Sequence, residues 1–196
     1  MLTTASTLQS ITPTLTAWSA YEPAVKCDLS SHAVRTPEGL ILIDPIALTA
    51  PESLSKPPTA ILLTNANHAR AALGWRERTG ARIFAPATAV PELDLTPDAT
   101  LADGDLTPGG FRTISLPGGA PGETAYVGHG LCCVGDALIH LPALGFTVLP
   151  EKYCINAPLL RDSLKKLLSC DFRIMTFAHG NPLVENARDR LASLLA

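Results

Sequence analysis

Two short apolar runs, residues 40–43 and 61–64, constrain the fold of this chain more than any other feature. Runs of this length are typical of strands that are buried on both faces. The next segment, residues 68–79, predicts a helix that Gly80 ends as a C-cap, and residues 82–86 predict another strand. A strand, a helix and a strand of these lengths predict a βαβ unit.

The rest of the sequence is β-rich in its first half and adds two helices near its end. Thr36-Pro37-Glu38-Gly39 is a hairpin turn signal, because Pro and Gly set the local φ angles. Asn156 can cap the first of the two helices, since its side-chain amide can accept from an otherwise unpaired backbone N–H. The predicted strands are residues 11–18, 25–35, 111–116, 123–127, 131–134 and 172–177, and the predicted helices are residues 157–168 and 183–195.

The composition is that of an ordinary globular protein, and we expect a single domain over residues 1–196. Hydrophobic residues make up 46% of the chain and charged residues 17%. A net charge of −3 without a cluster of Lys or Arg gives no basic footprint for nucleic acid. No apolar run approaches the ~20 residues that span a bilayer. The N-terminus also lacks the pattern of a signal peptide.

The five cysteines are not spaced as a disulfide framework or as a structural zinc site. Cys132 and Cys133 are adjacent, and on a strand their side chains would point to opposite faces. This indicates two core residues and not a disulfide. A reducing compartment fits such cysteines, so we expect a cytoplasmic protein.

Five segments that together span about residues 30–190 resemble signatures of the metallo-β-lactamase superfamily. Any one of them alone would be weak, but they occur in the family's order and at roughly its spacing. The resemblance implies an α/β fold of four layers, an αββα sandwich with two mixed sheets face to face and helices outside. The segments are Thr36-Pro37-Glu38-Gly39-Leu40-Ile41-Leu42-Ile43-Asp44-Pro45, Leu62-Leu63-Thr64 with the loop to Arg70, Pro117-Gly118-Gly119-Ala120-Pro121-Gly122-Glu123, Gly135-Asp136-Ala137 and Ala178-His179-Gly180-Asn181-Pro182.

The zinc ligands that the resemblance implies are mostly missing. The family's usual pattern is His-x-His-x-Asp-His after the buried strand, a His in a Pro-Gly-His loop, a bridging Asp and a final His. The first two histidines and the loop histidine bind one zinc, and the Asp-His pair and the final histidine bind the other. Asp136 and His179 keep the family's residues, and His68 lies at a variable position of the pattern. The remaining positions hold Asn65, Asn67, Ala69, Arg70 and Gly119.

These replacements remove the chemistry that a catalytic zinc needs. Such a zinc takes about three strong protein ligands and an open position for water, whose pKa then falls to roughly 7. Asn is a poor zinc ligand beside imidazole, Ala and Gly offer none, and the cationic Arg70 would repel a metal. We therefore expect no metal and no cofactor, although the family would imply zinc. The resulting vestigial cleft consists of Asn65, Asn67, His68, Arg70, Gly119, Asp136 and His179.

Each polar residue of this cleft has a structural interpretation beside a functional one. Arg70 replaces the lost metal charge and pairs with Asp136, or it binds an anion in the cleft. His179 is a hydrogen-bonded structural residue, or it acts as an acid or base, although no nucleophile of matching spacing accompanies it. Asn65 and Asn67 satisfy loop backbone, or they bind a small polar ligand. We favour the structural interpretation in each case.

Three hypotheses for the function follow. The favoured one is a degenerate, metal-free member of the superfamily that serves as a small-molecule-binding or regulatory module. The second is a hydrolase of an ester, thioester or lactone that uses a metal-independent mechanism, or one metal held weakly by Asp136 and His179. The third is a structural or oligomeric protein whose old cleft is filled. The sequence indicates neither a nucleic-acid nor a membrane partner.

Overall fold

The computed structural model describes residues 3–196 and has more strand than helix, with three α-helices in the described part. No helix in that part is long and apolar enough to cross a membrane. The strands are β1 (Thr4–Ala5), β2 (Gln9–Ser10), β3 (Leu15–Glu22), β4 (Cys27–Thr36), β5 (Gly39–Ile43), β6 (Ala47–Leu48), β7 (Pro58–Leu62), β8 (Arg82–Pro86), β9 (Ala99–Leu101), β10 (Arg112–Ser115), β11 (Thr124–Gly128), β12 (Leu131–Val134), β13 (Leu138–Leu141), β14 (Gly145–Val148) and β15 (Ile174–Phe177). The helices are α1 (Ala72–Thr79), α2 (Ala157–Leu164) and α3 (Ala187–Leu195).

Two mixed sheets form the centre of the molecule. The first has seven strands in the order β2-β3-β4-β5-β7-β8-β9, antiparallel as far as β5 and parallel from β5 onward. The second has four strands in the order β10-β11-β12-β15, and its last two strands are parallel. The parallel strands β7 and β8 are joined through α1, which confirms the predicted βαβ unit.

Three apolar clusters show how the layers stack. One cluster packs α1 against the seven-stranded sheet and includes Leu42 and Trp75. A second lies between the two sheets and includes Ile41 and Tyr126. A third packs the four-stranded sheet against α2 and α3 and includes Leu160. Helix, sheet, sheet and helix therefore follow one another, which is the predicted αββα sandwich of the α/β class.

Neighbouring residues of the buried strands belong to different clusters. On β5, Ile41 faces the space between the sheets, whereas Leu42 faces α1. On β12, Cys133 lies between the sheets and Cys132 packs toward α2 and α3. The opposite directions predicted for the two cysteines are confirmed. The same alternation explains why these strands read as continuous apolar runs, because both of their faces are covered.

The loop between β7 and α1 differs from its prediction. The sequence predicts a helix from residue 68, but α1 begins at Ala72. Ala66–His68 form a 3-10 turn, and Arg70 has a φ of 40°, in the left-handed region where a helix cannot continue. The predicted end of the helix is confirmed, since Gly80 closes it with a φ of 76°. Because α1 begins only at Ala72, His68 lies in the preceding turn, from which its side chain reaches the cleft.

The predicted elements near the C-terminus are correct in type and too long. Asn156 caps α2 as predicted, accepting from the Leu159 N–H at 3.0 Å. The helix itself ends at Leu164, and Lys165–Ser169 continue as a 3-10 helix. Strands β13 and β14 form a hairpin that the sequence analysis does not predict.

Candidate functional site

The carboxyl ends of parallel strands bring the candidate residues together. Asp44 follows β5 and His68 comes shortly after β7, in the seven-stranded sheet. Asp136 follows β12 and His179 follows β15, in the four-stranded sheet. Because each pair of strands is parallel and adjacent, the loops that follow them meet at one edge of the sandwich. A cleft network of hydrogen bonds lies there and consists of Asp44, Thr64, Asn65, His68, Glu123, Asp136 and His179.

His68 is the centre of this network. Its Nδ1 lies 2.9 Å from Asp44 Oδ2 and 2.8 Å from Thr64 Oγ1. Its Nε2 lies 3.3 Å from Asp136 Oδ1. Burial would lower the pKa of this imidazole, but the two carboxylates raise it above its ordinary value despite the opposing charge of Arg70. The His68 ring therefore bridges the two carboxylates, which favour its protonated form.

Asp44 holds the loop that carries His68. Its carboxylate is 2% exposed and accepts from the Thr64 N–H at 2.8 Å and from the Thr64 hydroxyl. Burial would raise the pKa of Asp44, but the charges of His68 and Arg70, together with these hydrogen bonds, lower it below its ordinary value. An ionised Asp44 thus fixes both the turn after β7 and the orientation of the His68 ring.

Asp136 receives three side chains on its two carboxylate oxygens. Oδ1 lies 3.3 Å from His68 Nε2 and 3.1 Å from His179 Nε2. Oδ2 accepts from Asn65 Nδ2 at 3.0 Å. Burial would raise the pKa of Asp136, but the two histidines bring it well below its ordinary value. The two histidine rings therefore favour the ionised form of Asp136.

Glu123 is a member of the network that the sequence analysis does not single out. It is 2% exposed, and its Oε1 accepts from the Ala137 N–H at 3.0 Å. Burial and the charge of Asp136 raise its pKa to about 8. A Cβ on Gly119 would lie 3.0 Å from Glu123 Cγ, so the Glu123 side chain lies against that glycine. In the sequence, the signal that could have pointed to Glu123 was its position at the end of the glycine-rich segment, residues 117–123.

The buried amide of Asn65 links the two carboxyl groups. Its Nδ2 donates to Glu123 Oε2 at 2.9 Å as well as to Asp136. Its Oδ1 accepts from the Asn67 N–H at 2.9 Å, which agrees with the predicted role of this amide in satisfying loop backbone. Asn67 is exposed and lies outside the network.

The predicted ion pair between Arg70 and Asp136 is wrong. The guanidinium donates instead to three backbone carbonyls, at 2.7 Å to Ser30, 3.0 Å to Asp44 and 3.3 Å to Ala178. These carbonyls belong to β4 and to the residues that follow β5 and β15, and within residues 3–196 the ion pairs of Asp136 are made by histidines. Its charge still acts across the cleft, since it lowers the pKa of both histidines relative to what the carboxylates alone would give.

His179 connects the network to the protein surface. Its side chain is 15% exposed, and its Nδ1 lies 3.0 Å from the Asp28 carbonyl oxygen and 3.3 Å from Cys27 Sγ. Burial would lower the pKa of His179, but the hydrogen bonds to Asp136 and Cys27 raise it to about 9. The sequence analysis expects no nucleophile beside this histidine, and the structure places the Cys27 thiol there.

The donor set does not fit the family's two zinc ions. The first ion would take side chains at positions 65, 67 and 119, which are an amide engaged with two carboxyl groups, an exposed amide and a glycine. For the second ion, His68, Asp136 and His179 offer donor atoms that all lie within 4.8 Å of one another. Two histidines and one carboxylate form a known ligand set for a single catalytic ion.

A groove of about 360 Å³ opens beside the loop between β7 and α1. Asn67, Arg70 and the exposed carboxylates of Glu92 and Asp94 contribute to its lining. His68, Asp136 and His179 are not among the lining residues, so the groove is next to the network and not directly above it.

Comparisons with known proteins identify the fold family of this chain. A sequence model described as the metallo-beta-lactamase superfamily matches residues 8–196. The chain belongs to the metallo-beta-lactamase superfamily. No curated protein sequence gives a significant match.

Solved structures of superfamily members have the same fold at low sequence identity. A metallo-beta-lactamase from Pontibacter korlensis superposes with a TM-score of 0.72 at 17% identity, over 96% of this chain and 98% of that one. A metallo-beta-lactamase family protein from Thermus thermophilus gives 0.69 at 20% identity, over 95% of this chain and 79% of the other. A beta-lactamase domain protein from Burkholderia ambifaria gives 0.68 at 16% identity, over 99% and 77%. At such identities the likeness concerns the fold alone.

Proposed function

We propose that this superfamily member works without a pair of zinc ions, as a small-molecule-binding or regulatory module. The observation that carries the proposal is the contact between Asn65 and Glu123, whose Nδ2 and Oε2 are 2.9 Å apart. Glu123 also lies against Gly119, at the position of the family's loop histidine. An amide–carboxyl pair therefore stands where the superfamily pattern has imidazole ligands.

Cationic side chains supply the positive charge that a second ion would bring. The ring of His68 lies between Asp44 and Asp136, at 2.9 and 3.3 Å, and the two carboxylates favour its protonated form. His179 adds a second contact to Asp136 at 3.1 Å. A buried carboxylate without such partners would be costly, so these histidines stabilise the cleft in the absence of metal.

The groove beside the network is the proposed binding site. Its exposed carboxylates, Glu92 and Asp94, favour a small polar ligand that carries an amino group or another cation. A thermal-shift screen of small amines tests this with the double variant Glu92→Gln/Asp94→Asn. Compounds that raise the Tm of the wild-type protein should lose most of that effect in the variant. The control is Glu77→Gln, an exposed carboxylate on α1 that does not line the groove. Equal shifts in all three proteins would contradict the proposal.

A metal-free cleft predicts the absence of zinc-dependent hydrolysis. Ester, thioester and lactone substrates would be assayed with the purified protein, with added zinc and with a chelator. We expect no turnover that zinc stimulates and the chelator abolishes, because no water with a lowered pKa is generated. Zinc-stimulated turnover that His68→Ala removes would overturn the proposal.

The second candidate is a hydrolase with one metal ion, and it is favoured by the convergence of His68, Asp136 and His179 within 4.8 Å. Each ring is also held through the nitrogen that faces away from Asp136. Nδ1 of His68 contacts Asp44, and Nδ1 of His179 contacts the Asp28 carbonyl. Such contacts orient imidazole ligands in metal sites. A bound ion would supply a nucleophilic hydroxide. Isothermal titration with zinc separates the two candidates, since this one requires a single site that is lost in His68→Ala.

The remaining expectations concern the surroundings of the protein. All five cysteines are free, which supports a reducing compartment such as the cytoplasm. We propose neither a nucleic-acid nor a membrane partner, and a homo-oligomer is compatible with the fold.

A further inference from the structure

A second cavity lies at the opposite end of β5 from the cleft network. It has a volume of about 100 Å³, and Leu40, at the start of β5, belongs to its lining. Asp44 of the network follows the other end of this strand. At strand geometry the rise from Leu40 to Asp44 is about 13 Å. The cavity is therefore separate from the cleft and from the groove beside it, and what binds there does not depend on the function proposed above.

The floor of this cavity is apolar and belongs to the seven-stranded sheet. Ala33 on β4 and Leu40 on β5 are buried, and both belong to the cluster that packs against α1. Leu54, which follows the 3-10 helix Pro51–Ser53, is buried in the same cluster. All three side chains line the cavity, so its buried part can take an apolar group and offers no side-chain partner to a polar one.

The rim of the cavity is polar and positively charged. Arg35 on β4 is exposed, and its Nη2 donates to Ser55 Oγ at 2.9 Å. Because the Ser55 oxygen accepts this bond, the hydroxyl hydrogen of Ser55 is available for another acceptor. The guanidinium carries further N–H groups, and Thr16 adds a hydroxyl to the lining. Several hydrogen-bond donors therefore surround one small cavity.

The positive charge of Arg35 is not neutralised by a side-chain partner in the described part of the chain. None of the ion pairs within residues 3–196 includes Arg35. The lining of the cavity also contains no Asp or Glu, unlike that of the groove beside the β7–α1 loop, which includes Glu92 and Asp94. The charge of this cavity therefore favours an anion.

We propose that this cavity binds a small monocarboxylate that carries a short aliphatic chain. The planar guanidinium of Arg35 matches the two oxygens of a carboxylate, and the Ser55 hydroxyl donates to the same group. The aliphatic chain packs against Leu40 and Leu54. The volume suits a ligand of about five non-hydrogen atoms, such as propionate.

The apolar floor favours a carboxylate over a phosphate. A phosphate group presents oxygens on every side, and in this cavity some of them would lie against Ala33, Leu40 and Leu54 without a hydrogen-bond donor. A short-chain carboxylate is polar at one end only, so its chain leaves water for the floor while its oxygens stay at the rim. The ligand class therefore follows from the combination of a cationic rim with an apolar floor.

An NMR titration of the ¹⁵N-labelled protein at constant ionic strength tests the proposal. We expect propionate to shift the backbone amide signals of Arg35, Leu40 and Ser55 saturably, with a Kd on the order of millimolar for so small a ligand. Propionamide has the same shape without the charge and should bind at least about tenfold more weakly. Phosphate should also bind more weakly than propionate. Equal affinity for propionamide or phosphate, or no saturable shift with propionate, would overturn the proposal, and these comparisons need no variant.

Three variants assign the binding to the rim of the cavity. Arg35→Gln should weaken propionate binding at least about tenfold, and Ser55→Ala about fivefold, because each removes donors to the carboxylate. The control is Lys56→Gln, which removes an exposed positive charge next to Ser55 in the chain that does not line the cavity. It should change the Kd by less than about twofold, since an exposed charge outside the site is screened. Unchanged binding in folded Arg35→Gln or Ser55→Ala, or an equal loss in Lys56→Gln, would contradict the assignment.

Discussion

Asp136 accepts from both histidines at one carboxylate oxygen, and this arrangement depends on residues that are distant in the sequence. His68 is oriented by Asp44, whereas His179 is oriented by the backbone of Asp28. Asn65 completes the set at the other oxygen. A change in one member therefore alters the partners of the others, and stability measurements can show which contacts matter.

Asp44→Asn is expected to lower the free energy of unfolding by about 3 kcal/mol, because it removes one partner of a buried ion pair and leaves His68 with Asp136 as its remaining carboxylate. Urea denaturation measures this change. The control is Asp162→Asn, which breaks the exposed 2.9 Å pair with Lys165. An exposed pair contributes little, so the control should change stability by less than about 0.5 kcal/mol. Equal effects in the two variants would show that the Asp44–His68 pair is not a stabilising contact.

The stability of the metal-free protein is expected to fall as the pH rises from about 6.5 to 9. The pKa of His179 is about 9 in the folded protein against an ordinary value of 6.5. Its contribution is fully present below pH 6.5 and is lost as the pH rises through 9. Glu123 acts in the same direction, because its pKa rises from 4.5 to about 8 on folding, so the folded protein loses stability between these values.

Urea midpoints across this pH range measure the loss. Glu123→Gln removes the contribution of that carboxyl group and should make the decline shallower, whereas the exposed Glu151→Gln should leave it unchanged. A stability that rises with pH over the same interval would be inconsistent with the protonated cleft described above.

The residues that sequence reasoning could assign are those whose type matches the family's pattern. Asp136 and His179 belong to this group, and Asn65 was correctly expected to satisfy loop backbone. His68 was placed in the cleft without a role and Glu123 was not singled out, because their roles depend on side-chain directions that the pattern does not specify. Arg70 was placed in the cleft correctly and given the wrong partner, since its guanidinium donates to backbone carbonyls.

At the scale of elements, the glycine loop between β10 and β11 positions both Glu123 and α2. Gly118 has a φ of 106°, and its carbonyl accepts from the Asn156 N–H at 2.9 Å. A Cβ at this position would clash with the backbone nitrogen of Leu160. This close approach lets the first turn of α2 rest directly on the loop.

Gly118→Ala is expected to destabilise the protein by about 2–4 kcal/mol, through a steric clash added to the strain of a positive φ. Gly104→Ala is the control, because Gly104 has a φ of 89° and a Cβ there would meet no atom within 4 Å. It should cost only about 1 kcal/mol. Thermal or urea denaturation compares the two, and a difference below about 0.5 kcal/mol, the scatter of neutral surface substitutions, would show that the contact with α2 is unimportant.

The elements themselves were largely predictable from local patterns. The continuous apolar runs identified β5 and β7, Gly80 identified the end of α1, and Asn156 identified the start of α2. The start of α1 was not predictable in this way, because the 3-10 turn at Ala66–His68 is held partly by distant residues: the Ala66 N–H donates to the Pro121 carbonyl and His68 contacts Asp44. The hairpin of β13 and β14 is partly exposed and lacks a buried run.

For the whole molecule, the order of five short segments was sufficient to predict the αββα sandwich, because each segment lies at a point where a strand ends or a loop approaches the cleft. The function is less determined by the fold, since one scaffold can carry different sites. In this chain the cleft retains Asp136 and His179 at the family's positions, and the polar side chains of the cleft network hydrogen-bond to one another.

The metal content of the purified protein tests the central claim most directly. The protein would be prepared without chelator from cells grown with zinc, and bound metal would be measured by plasma mass spectrometry. We predict well below one zinc per chain, because Asn65 and Glu123 replace the first set of ligands and the ring of His68 bridges the carboxylates of Asp44 and Asp136. Close to one ion per chain, lost in His68→Ala, would contradict the metal-free account and establish the single-metal alternative.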